Sequence, residues 1–451
     1  MRIRSKIIRK SYSKTQANIR VTFLCFICFW IHINIHAQET YDLKRCLQTV
    51  RSNNIELKNL KIEKDKAAVH YKSALYNMYP DLDANIRTGN NYGLLIDPTT
   101  NVLFFGNTFM NTYQFNSRFN LFSGFYNRYL KRLSLSQIET SQYLFEKRFN
   151  EISLELTFLY YQMWLAHENA ELLKKSLDNY QKRKKYIEGS VRNEVLHKRN
   201  LYNIDYLIAQ AETEIISFET IKEKNKALLM VLLSLNVTEQ IIFDFSSLEN
   251  IDITLFDYTI VIELAKNNFP ELKLGTTEIQ NAEYIYKQAC SASYPELIIE
   301  GQLGTKTSTN NINESYSTQF NHNKNQYIGL NLNIPIFKNY NNKQLKEIAL
   351  LDIEIARNNA QNLLLELENN VYQAVMDYNN ALKLYNAIYK QFEAIEQEYQ
   401  YAVKLFEIGN MGLFEFTEIS ERYLDVEKDL LTAKTDYLLK HKIIEFYTGN
   451  D

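Results

Sequence analysis

From Tyr113 the chain alternates with a period of two. Tyr113, Phe115, Ser117, Phe119 and Leu121 fall on one side and Gln114, Asn116, Arg118 and Asn120 on the other, which is the pattern of a β-strand with one apolar and one wet face. It returns as Ile328, Leu330, Leu332 and Ile334 against Gly329, Asn331 and Asn333. Upstream, Leu82, Ala84 and Ile86, and later Leu297, Ile299 and Leu303, suggest partner strands, with Ile298 blurring the second alternation. Two β-hairpins are therefore expected, over 81–122 and 296–337, with strands about ten residues long. Long solvated loops are expected near 92–110 and 305–325, the second rich in asparagine.

Elsewhere the period is helical. Runs from about Tyr126 to Glu188 and from about Asn341 to Ile408 contain neither proline nor glycine, and at 1.5 Å per residue they would reach roughly 95 to 100 Å. Val371, Ala374, Tyr378, Ala381, Tyr385, Ile388, Phe392, Ile395, Tyr399, Ala402 and Phe406 are spaced by alternating threes and fours, a coiled-coil seam. Phe149, Ile152, Leu156, Leu159 and Met163 form a shorter version. Each long helix is expected to turn at a glycine, Gly189 or Gly409; after the second, Phe416, Ile419, Tyr423, Val426, Leu430, Ala433 and Tyr437 carry a seam back. Opening helices are expected over about 41–78 and 258–293, halted at Tyr79-Pro80 and Tyr294-Pro295, since proline disfavours a helical residue before it.

These elements come in two sets at a constant offset of 215 residues. Asn53, Glu56, Leu57 and Lys58 recur as Asn268, Glu271, Leu272 and Lys273, Tyr79-Pro80 as Tyr294-Pro295, and Ile138-Glu139 as Ile353-Glu354. An offset held over so long a stretch indicates two copies of one unit, spanning 38–250 and 251–451. Each unit reads as helix, strand, strand, very long helix, turn and returning helix. Only 12 Gly and 5 Pro in 451 residues agree with a chain dominated by long helices.

The first 37 residues read as an export signal, with seven basic residues and no acidic ones before an apolar stretch from Val21 to Ile33. Cleavage after Ala37 would leave 44 of the 51 Lys and Arg against 53 Asp and Glu, a net charge of −9, which argues against a nucleic-acid partner. Of the remaining cysteines, Cys46 lies 34 residues before Pro80 and Cys290 five before Pro295. On parallel helices they would stand roughly 44 Å apart in height, so two free thiols are expected.

Four one-sided strands cannot be stable in a bilayer alone, because both edges would present unpaired backbone groups to hydrocarbon. Closure must come from other copies. Membrane barrels begin at about 8 strands, so a dimer or trimer is the smallest solution. A water-soluble antiparallel sheet is the other reading of the strands.

At this point the residues carry a family likeness over essentially the whole chain after residue 37. Asn53-Asn54-Ile-Glu-Leu-Lys58 with Asn267-Asn268-Phe-Pro-Glu-Leu-Lys273, Tyr-Pro-Asp-Leu82 with Tyr-Pro-Glu-Leu297, and Asn120-Leu-Phe-Ser-Gly124 with Leu332-Asn-Ile-Pro-Ile-Phe337 appear in order. Leu405-Phe-Glu-Ile-Gly-Asn-Met-Gly-Leu-Phe-Glu-Phe416, running into Ala433-Lys-Thr-Asp-Tyr437, is the most specific. The chain resembles the TolC-type outer membrane efflux proteins, the outer membrane factors. That resemblance implies an α+β membrane protein: a homotrimer with a 12-stranded barrel in outer-membrane lipid and a helical tunnel through the periplasm. It also implies that the turns at Gly189 and Gly409 lie at the periplasmic tip. There the family meets a periplasmic adaptor (membrane fusion) protein joined to an inner-membrane pump.

Glu415 and Glu418 stand where the resemblance implies acidic residues facing the closed tip, and three copies would make two carboxylate rings. The alternative is an ordinary solvated helix start, where acidic residues suit the positive dipole end. The first turn departs from its twin, with Glu194 five positions after its glycine and Arg192, Lys198 and Arg199 making it basic. Arg192 is either a partner for a neighbouring carboxylate or a surface arginine. Met411, Leu413, Phe414 and Phe416, around Gly412, either offer an apolar surface to adaptor helices or staple the helical hairpin. The histidines lack ligand spacing, and no phosphate loop, nucleophile motif or zinc pattern occurs. No enzyme, cofactor or metal is expected. The function implied is a passive exit duct of a tripartite efflux or type I secretion system. A non-transporting coiled-coil structural or adhesion protein of the periplasm or surface is the competing class.

Overall fold

The computed structural model describes residues 40–449 apart from 98, 100, 240, 249–254 and 312. The expected export signal lies outside the described residues. A first set of elements comprises β1 (Thr40–Tyr41), α1 (Leu43–Asn53), α2 (Ile55–Tyr76), β2 (Asp83–Ile96), β3 (Leu103–Ser123), α3 (Tyr126–Arg192), α4 (Arg199–Leu232) and β4 (Ile242–Phe243). A second comprises α5 (Tyr258–Asn268), α6 (Pro270–Ser291), β5 (Glu296–Ser308), α7 (Tyr316–His322), β6 (Asn325–Asn333), α8 (Asn341–Glu407) and α9 (Leu413–Thr448).

The long helices α3 and α8 are 67 residues each, about 100 Å at 1.5 Å per residue. Their first and last residues, 126 and 341, 192 and 407, are both separated by 215. Each opening helix, expected as one, is broken in two. At the first break the Asn54 side chain accepts from Leu57 N (3.1 Å) to start α2, and its amide donates to Leu232 O (2.8 Å). At the second, Pro270 occupies the first turn of α6 and forces Phe269 into extended backbone.

The predicted seams do pack. On α8, Val371 and Tyr378 are fully buried, and Ala381, Ile395 and Ala402 nearly so. Tyr385 stacks on Tyr437 at 5.7 Å, Tyr399 on Tyr423 at 4.6 Å and Phe406 on Phe416 at 4.5 Å, so aromatic rings tie α8 to the returning α9 along its length. The largest core lies midway along the helices. There Leu156, Tyr160, Tyr161, Leu229, Val371 and Ile444 meet α1 and α5, and the short parallel pair β1–β4 closes over Tyr160, whose hydroxyl donates to Asp244 O. Buried Cys46 and partly buried Cys290 are both free thiols.

The four longer strands form one antiparallel sheet in the order β2-β3-β5-β6. The strands differ from expectation in length. β2 and β3 have 14 and 21 residues, so the connection expected over 92–110 shrinks to 97–102. Tyr92, Leu94 and Ile96 pair with Asn107, Phe105 and Leu103, continuing an alternation that starts in the assigned strands. In the second hairpin β5 runs to Ser308 and the loop holds a short helix, α7. β6 stops at Asn333 rather than including Ile334, because Pro335 has no backbone donor for the ladder.

Candidate functional site

Register assigns every strand side chain to a face. Ile86 lies opposite Tyr113, Phe115 opposite Leu303, and Ile299 opposite Leu330. Phe119, Leu297, Ile328 and Leu332 share that face. The other carries Gln114, Asn116, Asn120, Gln302, Asn331 and Asn333, with Arg118 paired directly to Glu300, their side chains 3.6 Å apart. Much of the apolar face is bare: Ile328 is 82% exposed, Leu330 69% and Ile86 69%. A row of this size needs an apolar cover. The outer edges of β2 and β6 have no strand partner among the described residues, so the sheet is open on both sides.

At the opposite end of the helices lie two turns of one kind. After α8, Gly409 N donates to Phe406 O (3.1 Å) and Asn410 N to Leu405 O (2.8 Å), with Gly409 at φ +76°. This is a Schellman cap with its left-handed residue at Gly409. After α3, Glu194 N donates to Val191 O (3.1 Å) and Val195 N to Ser190 O (2.8 Å), with Glu194 at φ +61°. Gly189, expected to make this turn, is an ordinary residue inside α3, which continues to Arg192. The 215 offset carries Gly409 onto Glu194, and the glycine at 189 misdirected the pairing.

Arg192, Glu194, Glu415 and Glu418 are exposed, and none of them forms an ion pair among the described residues. Gly412 caps α9, accepting from Phe416 N at 3.1 Å. Met411 turns in against Ala402, Phe416 and Ile419. Leu413 reaches the other hairpin, packing with Tyr180, Ile187, Ile204 and Leu207. Phe414 alone of this group points out, 76% exposed.

One tip residue escaped the sequence reading. Arg183 of α3 places its guanidinium 4.5 Å from the centre of the Phe416 ring and donates to Ser420 Oγ (3.3 Å) and Thr417 Oγ1 (3.5 Å) of α9. No carboxylate pairs with it among the described residues, and burial lowers its pKa. Its neighbour Glu421 is raised above the usual carboxylate range, by burial first and by Asp425. The available signal was spacing: Tyr180, Arg183 and Ile187 are three and four apart, so an arginine sits in an apolar seam.

The arrangement is a one-sided sheet carried at one end of helices far longer than a bilayer is thick. Residues 261–450 match the outer membrane efflux protein family. No curated protein sequence matches the chain. Among solved structures, the Campylobacter jejuni CmeC outer membrane channel is 18% identical, covering 90% of this chain and 85% of its own, with a TM-score of 0.76. The Vibrio cholerae outer membrane protein VceC is 13% identical (90% and 96%, TM-score 0.75), and the open-state Neisseria gonorrhoeae MtrE outer membrane channel 16% (90% and 88%, TM-score 0.65). The matched segment runs from within α5 to the end of α9. The channel likeness extends the fold over the first set of elements.

Proposed function

We propose that the chain is the passive exit duct of a tripartite efflux or type I secretion system, with transport energy supplied by its partners and no chemistry of its own. The observation that carries this reading is the sheet: apolar on one face, polar on the other, open at both edges, and attached to helices of about 100 Å. Three copies joined edge to edge make a 12-stranded barrel. Its apolar face meets lipid and its Arg118–Glu300 face meets water. The two sets of elements are tandem copies of one unit, 38–250 and 251–451, following a cleaved signal, 1–37.

The tips around Glu194 and Gly409 form the periplasmic aperture in this reading. Glu415 and Glu418, exposed and outside any ion pair among the described residues, become carboxylate rings around the axis, with Arg192 and Glu194 at the neighbouring turn. Phe414 marks where an adaptor helix docks, as the outward anchor, while Met411 and Leu413 hold the turn that presents it. Opening requires the two hairpins to move relative to one another, and Arg183 spans that joint. Detergent extraction tests the duct: the mature protein should require detergent and run as a heat-resistant trimer. A monomer soluble without detergent would leave the periplasmic coiled-coil scaffold standing.

A further inference from the structure

The hairpin β2–β3 outruns its sheet. β5 ends with Ser308 opposite Met110, and β6 reaches only Gly304, but β2 and β3 pair on as far as Ile96 and Leu103. Built straight, the tip would lie about 25 Å beyond Ser308 at roughly 3.3 Å per residue. It does not. The Ser308 hydroxyl donates to the Asp97 carboxylate, and the Asn310 amide donates to the Thr108 hydroxyl. Asp97, Thr108 and Ser308 are 1%, 0% and 5% exposed, while on the other face Thr305 and Thr307 are buried where α7 lies against the end of β5.

The fold-back has a visible hinge. Gly93 and Gly106 lie directly opposite one another in the register, at φ +138° and +155°, backbone that side chains other than hydrogen rarely permit. Its direction is fixed by parity: Asp97, Thr108 and Ser308 all belong to the polar face, so the tip folds over that face. Asp97 serves the tip and the latch together, one oxygen accepting from Thr99 N (2.8 Å) and Thr99 Oγ1 (2.6 Å), the other from Ser308. From the opposite side α7 braces the end of β5. Gln319 accepts from Ser308 N (2.8 Å) and donates to Ser308 O (3.1 Å), and Phe320 packs edge-on against Tyr113 at 5.5 Å.

We propose that this tip is a lid over the outer mouth of the duct, hinged at Gly93 and Gly106 and latched by Asp97 on Ser308. The inference rests on the duct reading, in which the polar face lines the lumen. Three such tips, folding toward one axis, narrow the exit independently of the periplasmic aperture.

The test uses intact cells expressing the full chain with Cys290→Ser, and a membrane-impermeant polymer maleimide added outside. Asn116→Cys, on the polar face below the lid, reports lumen access; Ile328→Cys, on the apolar face, is the lipid control. Removing the latch with Asp97→Ala should raise Asn116→Cys labelling at least about tenfold, the effect of losing the buried charge-assisted hydrogen bond from Ser308, with Ile328→Cys unlabelled throughout. Ser308→Ala, a smaller change, should act in the same direction and covers the case in which Asp97→Ala fails to assemble. Equal Asn116→Cys rates with the latch present and removed would overturn the lid while leaving the duct. Ile328→Cys labelling as fast as Asn116→Cys would overturn the lipid-facing barrel itself, and the lid with it.

Discussion

The guanidinium of Arg183 and the ring of Phe416 lie 4.5 Å apart, joining the long helix of the first hairpin to the returning helix of the second. Desolvated cation–π contacts are worth up to about 2 kcal/mol, and here the charge has hydroxyl partners but no paired carboxylate among the described residues. Arg183→Gln should therefore loosen the joint by about 1–2 kcal/mol. Hydrogen exchange should accelerate at the amides of 183–191 and 413–420 while those around Tyr160 stay protected. Unchanged exchange at the tip would show that the contact carries no weight.

The two tip turns share a geometry but not a residue. Glu194 pays the left-handed penalty that Gly409 avoids, about 1 kcal/mol. Glu194→Gly should stabilise by about that amount, and Gly409→Ala should destabilise by a similar one. A Cβ at 409 would meet nothing within 4 Å, so the cost there is conformational rather than steric. Thermal unfolding of both variants checks the pair, and shifts of the same sign would contradict the shared motif.

Burial pushes the Glu427 carboxyl above its ordinary value of 4.5, with Glu396 adding to the shift and Lys175 opposing it. The folded state thus holds this proton more tightly than the unfolded chain. The resulting stability is present below the unfolded pKa and lost as pH rises through the folded one. Glu427→Gln should match the parent near pH 4 and exceed its Tm near pH 7, and a Tm gain at both values would refute the burial account.

Placement of the apolar face predicts an asymmetry between neighbouring positions of β6. Ile328→Arg puts a charge where lipid is expected, at about 2–4 kcal/mol near the midplane, and should reduce assembly into the membrane. Asn331→Arg, on the other face, should assemble normally. Comparing detergent-extracted trimer yields distinguishes the two, and equal yields would mean that the faces are misassigned.

Strand faces, long helices and the α8–α9 seam were legible because each rests on a period that a short window displays, as Phe115 against Asn116 or Tyr378 against Tyr385 show. The breaks at Asn54 and Phe269 were not, since Asn54 is a helix cap only by virtue of its bond to Leu232, which is remote in sequence. Gly189 misled because glycine is permitted, not required, to turn, whereas Glu194 is held left-handed by the cap around it. The length of β2 was hidden by Gly89, Asn90, Asn91 and Gly93, turn-forming residues that here sit within a ladder. Arg183 was invisible for a related reason: its value depends on Phe416, more than two hundred positions away.

The most direct measurement is single-channel conductance of the purified mature protein in planar bilayers, parent against Glu415→Gln with Glu418→Gln. A trimeric duct with a carboxylate-ringed tip gives small, cation-selective steps whose selectivity weakens in the double variant. Absence of any conductance, from a protein that stays soluble without detergent, would contradict the duct.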